Sequence, residues 1–135
     1  MTLGTWTPGA PALPTLEDFR DAAARWNREE ASSIESFGGE LRQRLQAAMQ
    51  APAGALDADL DALDAEELEA LARLFTVIEQ QPGFEAGAKS PVIALCRRLR
   101  KHLDADAFAE LVRWIRAHSD NRFLPHGSLQ DRLRV

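Results

Sequence analysis

The chain has 135 residues, of which 45% are hydrophobic and 27% are charged, and its formal net charge is −5. This length and composition are typical of one globular domain that needs neither a metal nor a disulfide to fold. The single cysteine, Cys96, excludes a disulfide framework. No apolar run approaches the ~20 residues that cross a bilayer. The N-terminus lacks a signal-peptide pattern, so we expect a cytoplasmic protein.

The charge is divided unevenly along the chain. Up to Ala88 there are 6 basic against 16 acidic residues, and from Lys89 onward there are 10 basic against 5 acidic. Such asymmetry concerns electric fields and partners rather than catalysis. An acidic chain is a poor general nucleic-acid binder, but a local basic face can still bind.

Residues 1–14 contain three prolines and two glycines, which predict an extended N-terminal arm rather than a helix. Trp6 is the one large aromatic residue in this arm. An indole left in water exposes a large apolar area, so we expect Trp6 to dock on the body of the protein. Residues 15–135 are predicted to form a single helical domain.

The first helical pattern begins at Thr15, a predicted N-cap, with Asp18 three residues later in the position of a capping box. Apolar residues then recur at the helical period from 16 to 49 and stay in phase across Gly38-Gly39. Either one long helix with a weak point or two helices meeting at the glycines fits this pattern. The unbroken phase favours a continuous or kinked helix. A stripe this long and even also suggests a homodimer that pairs through residues 16–49.

Asp57, Asp59 and Asp61 have the spacing that opens an EF-hand calcium loop. The rest of the motif is missing, because Ala62 replaces the required glycine and Leu68 replaces the bidentate glutamate. The pattern therefore predicts a structural role instead of a calcium site.

Three further helix starts are predicted from capping residues. Asp64 with Glu67 forms a capping box for a helix that runs to about Gln81, where Pro82-Gly83 stops it. Ser90-Pro91 combines a hydroxyl N-cap with proline at the first helical position. Asp104 or Asp106 caps the next helix.

The predicted fold is all-α. It has four main helices in a small bundle plus a short C-terminal helix near 128–131, preceded by the proline-rich arm.

No catalytic or cofactor motif stands out. Cys96 lies on the apolar stripe of its helix, which predicts a small core residue rather than a nucleophile. His102, His118 and His126 have none of the spacings that make a metal site specific, so we expect neither a metal nor a cofactor.

Two segments are predicted to bind a protein partner. Arg97, Arg98 and Lys101 lie mostly off the apolar stripe of their helix. The irregular segment after Asn121 combines turn formers with large apolar residues, which are usually pinned to a core or offered to a partner. The candidate residues in that segment are Arg122, Phe123, Leu124 and His126.

The sequence as a whole predicts a small cytoplasmic interaction or accessory protein without catalytic activity. A nucleic-acid-associated factor that uses the basic last third is the first alternative. Acidic residues at the start of the 105–118 helix, where recognition residues would lie, argue against it. A small-ligand binder or enzyme is the second alternative, and it would require a deep polar pocket that holds His118 or His126.

Overall fold

A computed structural model of the chain describes residues 13–27, 39–52, 54–81, 83–121 and 124. Throughout these ranges the regular structure is helical and contains no strand, which confirms the all-α class. The elements in chain order are α1 (Leu16–Asn27), α2 (Gly39–Ala48), α3 (Asp57–Asp61), α4 (Ala65–Ile78), a 3-10 turn (Gly87–Lys89), α5 (Pro91–His102) and α6 (Ala105–His118). None of the described helices is long and apolar enough to span a membrane. The predicted C-terminal helix and most of the arm, Trp6 included, lie outside the described residues.

Two helices begin with the predicted capping boxes. The Thr15 hydroxyl accepts a hydrogen bond from the Asp18 N–H at 3.1 Å, and the Asp18 carboxylate accepts one from the Thr15 N–H at 2.9 Å. Asp64 and Glu67 make the same reciprocal pair at the start of α4, at 2.8 and 3.0 Å. Each box satisfies two backbone N–H groups that have no partner within the helix.

The last two helices also begin where the sequence predicts. The Ser90 hydroxyl accepts from the Val92 N–H at 3.1 Å, and Pro91 is the first residue of α5. Asp104 accepts from the Ala107 N–H at 2.7 Å and caps α6. Because so few residues separate α5 from α6, the two helices are neighbours in the fold.

Helix α4 lies at the centre of the core and packs against α1, α5 and α6. Phe19 of α1 meets Phe75 of α4 edge to face, with ring centroids 6.4 Å apart. The buried residues of α4 occupy most of its circumference: Leu68, Ala70, Leu71, Ala72, Leu74, Phe75, Thr76 and Ile78.

The prediction of one continuous or kinked helix over 16–49 is wrong. A side-chain nitrogen of Arg44 in α2 lies 3.2 Å from an Asp18 carboxylate oxygen at the start of α1. Along a straight helix these residues would be separated by roughly 39 Å, at about 1.5 Å per residue. Helix α2 therefore lies beside the start of α1. Gly38 falls outside the described residues, and Gly39 is the first residue of α2.

The described part of the apolar stripe that suggested a homodimer packs into the core of one molecule. Phe19, Ala23, Leu45 and Met49 are each at most 1% exposed and belong to one hydrophobic core. Homodimerisation stays a prediction, but the exposed stripe that motivated it is not present at these positions.

The short helix α3 was not predicted, and it accounts for two of the three spaced aspartates. Asp57 and Asp61 lie one turn apart and both bind Arg98 of α5, at 2.9 Å and 2.6 Å. Two of the three carboxylates whose spacing resembled a calcium loop therefore join α3 to α5.

Two glycines should respond in opposite ways to alanine. Gly83 has φ of +88°, and an added Cβ would lie 3.0 Å from the Gln46 amide nitrogen, which donates a hydrogen bond to the Gly83 carbonyl. We expect Gly83→Ala to lower the free energy of unfolding by about 1 kcal/mol or more, because alanine is strained there.

Gly39→Ala is the matched control, because its Cβ would meet nothing within 4 Å. It should be neutral or stabilise by less than about 1 kcal/mol. Urea denaturation followed by circular dichroism measures both variants. A Gly83→Ala protein as stable as the wild type would contradict the strained turn.

Candidate functional site

A pocket of about 190 Å³ opens where the start of α5 meets the residues after α2. We call it the α5 pocket. Its charged lining residues are Lys89, Arg97 and Asp57, which are all exposed. The positive end of the α5 dipole adds to the charge of the two cations. The apolar residues of its lining are Ala48, Ala51, Pro52, Leu56, Ala88, Pro91, Ile93 and Ala94.

The predicted basic residues of α5 separate into two groups. Arg97 and Lys101 are exposed, and neither has an ion-pair partner among the residues that the structure describes. Four positions apart on a helix, they share one face. The Arg98 side chain is only 15% exposed, and besides both α3 aspartates it binds the Ala94 carbonyl at 3.1 Å.

The predicted C-terminal binding segment is described only in part. Arg122, Phe123 and His126 lie outside the described residues. Leu124 is 1% exposed, belongs to the core and donates its N–H to the Asn121 carbonyl at 3.2 Å. Because Arg98 and Leu124 make contacts inside the fold, we leave both out of the binding surface proposed below.

A buried carboxyl group lies behind the start of α5. Glu79 follows the last residue of α4 and is 5% exposed. One carboxylate oxygen accepts a hydrogen bond from the Ser90 hydroxyl, and the other lies 3.4 Å from the Asn121 amide nitrogen. That nitrogen also donates to the Gly87 carbonyl at 3.0 Å. Glu79 thus connects the end of α4, the N-cap of α5 and Asn121, which lies three residues after the end of α6.

The surroundings of Glu79 change its acidity. Burial raises the pKa of Glu79 from its usual 4.5 to about 7, against the opposing effect of the hydrogen bonds from Ser90 and Asn121. Removing the carboxylate from water disfavours its charged form, and two neutral donors only partly compensate. The charge on Glu79 therefore changes near neutral pH.

A second cavity, of about 380 Å³, is lined by residues that include Glu79, Glu85, Asp120 and Asn121. Its volume falls in the range of small-ligand sites, about 300–1,000 Å³. However, the Glu79 carboxyl is already hydrogen-bonded. Within the described ranges no buried side-chain polar atom lacks a partner. The cavity therefore offers no unpaired buried group to a ligand, and neither His118 nor His126 is among its described lining residues.

Sequence reasoning missed Glu79, although a signal was present. Glu79 lies four residues after Phe75 and eight after Leu71, which places it on the buried face of α4. A carboxylate on such a face is rarely buried without partners.

Cys96 and His118 make packing contacts within the fold. Cys96 is 3% exposed, which confirms the core interpretation. Burial raises the pKa of its thiol to about 12, although the charge of Arg100 opposes this, so the nucleophilic thiolate is scarce. His118 stacks on Trp114, with ring centroids 4.0 Å apart. Across the described part of the chain no group of three or more His, Cys, Asp or Glu side chains could hold a metal ion.

Trp114 is packed by several neighbours besides His118. Trp26 meets it edge to face at 5.9 Å, and the Arg73 guanidinium lies 4.9 Å from its ring centroid. Arg73 is in turn held by Glu69 at 2.9 Å. This aromatic cluster joins α1, α4 and α6. The position over the Trp114 ring that a cation could occupy is taken by Arg73 of the same chain.

Comparison with protein-family models, with curated proteins and with solved structures gives no match for this chain.

Arg98 should matter for stability and Arg97 should not. Arg98→Ala removes charge-assisted hydrogen bonds from a side chain that is only 15% exposed, so we expect a loss of about 1–2 kcal/mol in the free energy of unfolding. Arg97→Ala is the control, because it changes an exposed side chain and should alter stability by less than ~0.5 kcal/mol. Equal losses in the two variants, measured by urea denaturation, would contradict the distinction.

Glu79 should make stability depend on pH. Between about 4.5 and about 7 the folded protein holds a proton on Glu79 that the unfolded chain has lost. Its contribution to stability therefore falls as pH rises through this window, by up to about 3 kcal/mol, and is constant above it.

Glu79→Gln should remove this fall, and Glu85→Gln, which changes an exposed carboxylate of the same cavity, should retain it. The urea concentration at the unfolding midpoint is measured as a function of pH for the wild type, Glu79→Gln and Glu85→Gln. Parallel pH profiles for wild type and Glu79→Gln would show that Glu79 titrates outside this window.

Proposed function

We propose that this chain is an interaction protein without catalytic activity, which binds an acidic segment of a protein partner at the α5 pocket and along Arg97 and Lys101. The observation that carries the proposal is the pair of exposed cations on one face of α5 without ion-pair partners in the described part of the chain. Neighbouring Arg98, by contrast, is neutralised by two aspartates. A helix face with two uncompensated cations attracts negative charge.

The α5 pocket supports a peptide partner in particular. Apolar residues such as Pro52 and Ile93 make up most of its lining, and Lys89 and Arg97 add positive charge. At about 190 Å³ the pocket is smaller than the usual small-ligand site. It suits a single apolar side chain whose acidic neighbours in the partner meet the cations. Apolar anchors in pockets provide most of the affinity of such interfaces, and the charges provide rate and specificity.

Nucleic acid is a poorer match to this surface. Asp57 is one of the pocket's lining residues, and exposed Asp104, Asp106 and Glu110 lie in and before the first turns of α6. These carboxylates would repel phosphates, whose neutralisation supplies most nonspecific nucleic-acid affinity.

The test uses a fluorescein-labelled peptide in which leucines are spaced among glutamates, and a counterpart with lysine in place of glutamate. Fluorescence anisotropy measures binding to the wild type and to an Arg97→Glu/Lys101→Glu double variant. We expect the wild type to prefer the acidic peptide, and the double variant to lose about tenfold or more in affinity, since two attractive charges become repulsive.

Arg113→Glu/Arg116→Glu is the matched control, because it makes the same change in net charge at two exposed positions of α6. It should bind the acidic peptide within about twofold of the wild type, since neither residue is among the lining residues of the pocket. Equal losses in both double variants, or no preference for the acidic peptide, would overturn the proposal. Tighter binding of a DNA or RNA duplex, with a steep dependence on salt, would favour the nucleic-acid alternative.

A further inference from the structure

Ser90 takes part both in the lining of the α5 pocket and in the hydrogen bonds of the buried Glu79. It lines the α5 pocket, and its hydroxyl donates a hydrogen bond to Glu79 while accepting one from the Val92 N–H. Glu79 in turn lines the larger cavity. The buried Ser90 side chain, which is 3% exposed, therefore connects the Glu79 carboxyl group to the lining of the α5 pocket.

We infer that Glu79 acts through Ser90 as a pH-dependent regulator of the α5 pocket, so that an acidic partner binds more tightly when Glu79 carries a proton. This inference rests on the function proposed above and names a regulation of the same site.

The first reason is the position of the charge. Glu79 is 5% exposed, so a negative charge on it is poorly screened by water. This charge would lie next to the Ser90 hydroxyl, and Ser90 directly follows the pocket cation Lys89 in the chain. The negative charge would therefore offset part of the positive potential that attracts an acidic segment. Protonation removes this opposing charge.

The second reason is the hydrogen bond itself. An ionised carboxylate accepts the Ser90 hydroxyl in a charge-assisted hydrogen bond, which is about twice as strong as a neutral one. Protonation weakens that bond and so alters the restraint on the N-cap of α5, which forms part of the pocket wall. Because burial raises the pKa of Glu79 to about 7, both changes fall near neutral pH.

Other charged groups surround this connection. Glu85 and Asp120 line the cavity on the Glu79 side, and Lys89, Arg97 and Asp57 line the pocket on the Ser90 side. Exposed His102 follows Lys101 directly, so the test must separate its contribution from that of Glu79.

The dissociation constant of the labelled acidic peptide is measured at about pH 6 and about pH 8, on either side of the Glu79 pKa. We expect the wild type and His102→Gln to bind roughly three- to tenfold more weakly at the higher pH, because a poorly screened negative charge then opposes the peptide. Glu79→Gln should bind equally well at both. If Glu79→Gln keeps the pH dependence of the wild type, or His102→Gln loses it, the inference is overturned.

An NMR titration of the wild type without peptide tests the connection apart from the function and does not depend on a variant that folds. The Ser90 and Val92 amide resonances should shift together with the Glu79 carboxyl carbon, with a midpoint near 7. Amides that do not follow the Glu79 carbon would overturn the inference while leaving the proposed function intact. Absence of peptide binding at both pH values would overturn the proposed function and the inference with it, even where the amides titrate.

Discussion

Burial of α4 on several faces is the constraint on which the rest of the molecule depends. A helix surrounded by α1, α5 and α6 has little contact with water, so its polar groups must be satisfied by the chain itself. The Asp64–Glu67 box does this at the first turn, and Thr76 donates its hydroxyl to the Ala72 carbonyl within the helix. At the other end Glu79 meets Ser90, which also begins α5. The same requirement that stabilises the core therefore places an ionisable group beside the proposed binding surface.

The opposite charges of the two parts of the chain are partly used to hold them together. Acidic α3 and basic α5 meet through Arg98, whose two aspartate partners come from the acidic part. After this pairing, Arg97 and Lys101 remain as exposed cations of α5 without an ion-pair partner in the described part of the chain. Part of the charge asymmetry of the sequence is thus used inside the fold, where it holds α3 against α5. The exposed cations that remain form the proposed binding surface.

The sequence predicted the features whose causes are local. The four predicted helix starts that fall within the described residues are correct, because an N-cap depends on side chains within about three residues. The apolar period could not predict that α2 returns to the start of α1. An apolar stripe keeps its helical phase both when two helices fold back onto one core and when one long helix packs against a partner. The role of Arg98 was missed for a similar reason: its partners lie 37 and 41 residues away in the chain. Glu79 gave a local signal, a carboxylate on an apolar face, but Asn121 is 42 residues distant and only the fold brings the two together.

Cys96 has a practical consequence for studying α5. Its thiol is the only one in the chain, it is buried against the core, and its raised pKa keeps it protonated in the closed structure. A thiol-specific reagent can then react only when α5 separates from the core or the whole chain unfolds. The rate of Cys96 alkylation in native buffer therefore reports how often α5, which carries the proposed binding surface, separates from the core. The measurement needs no introduced probe.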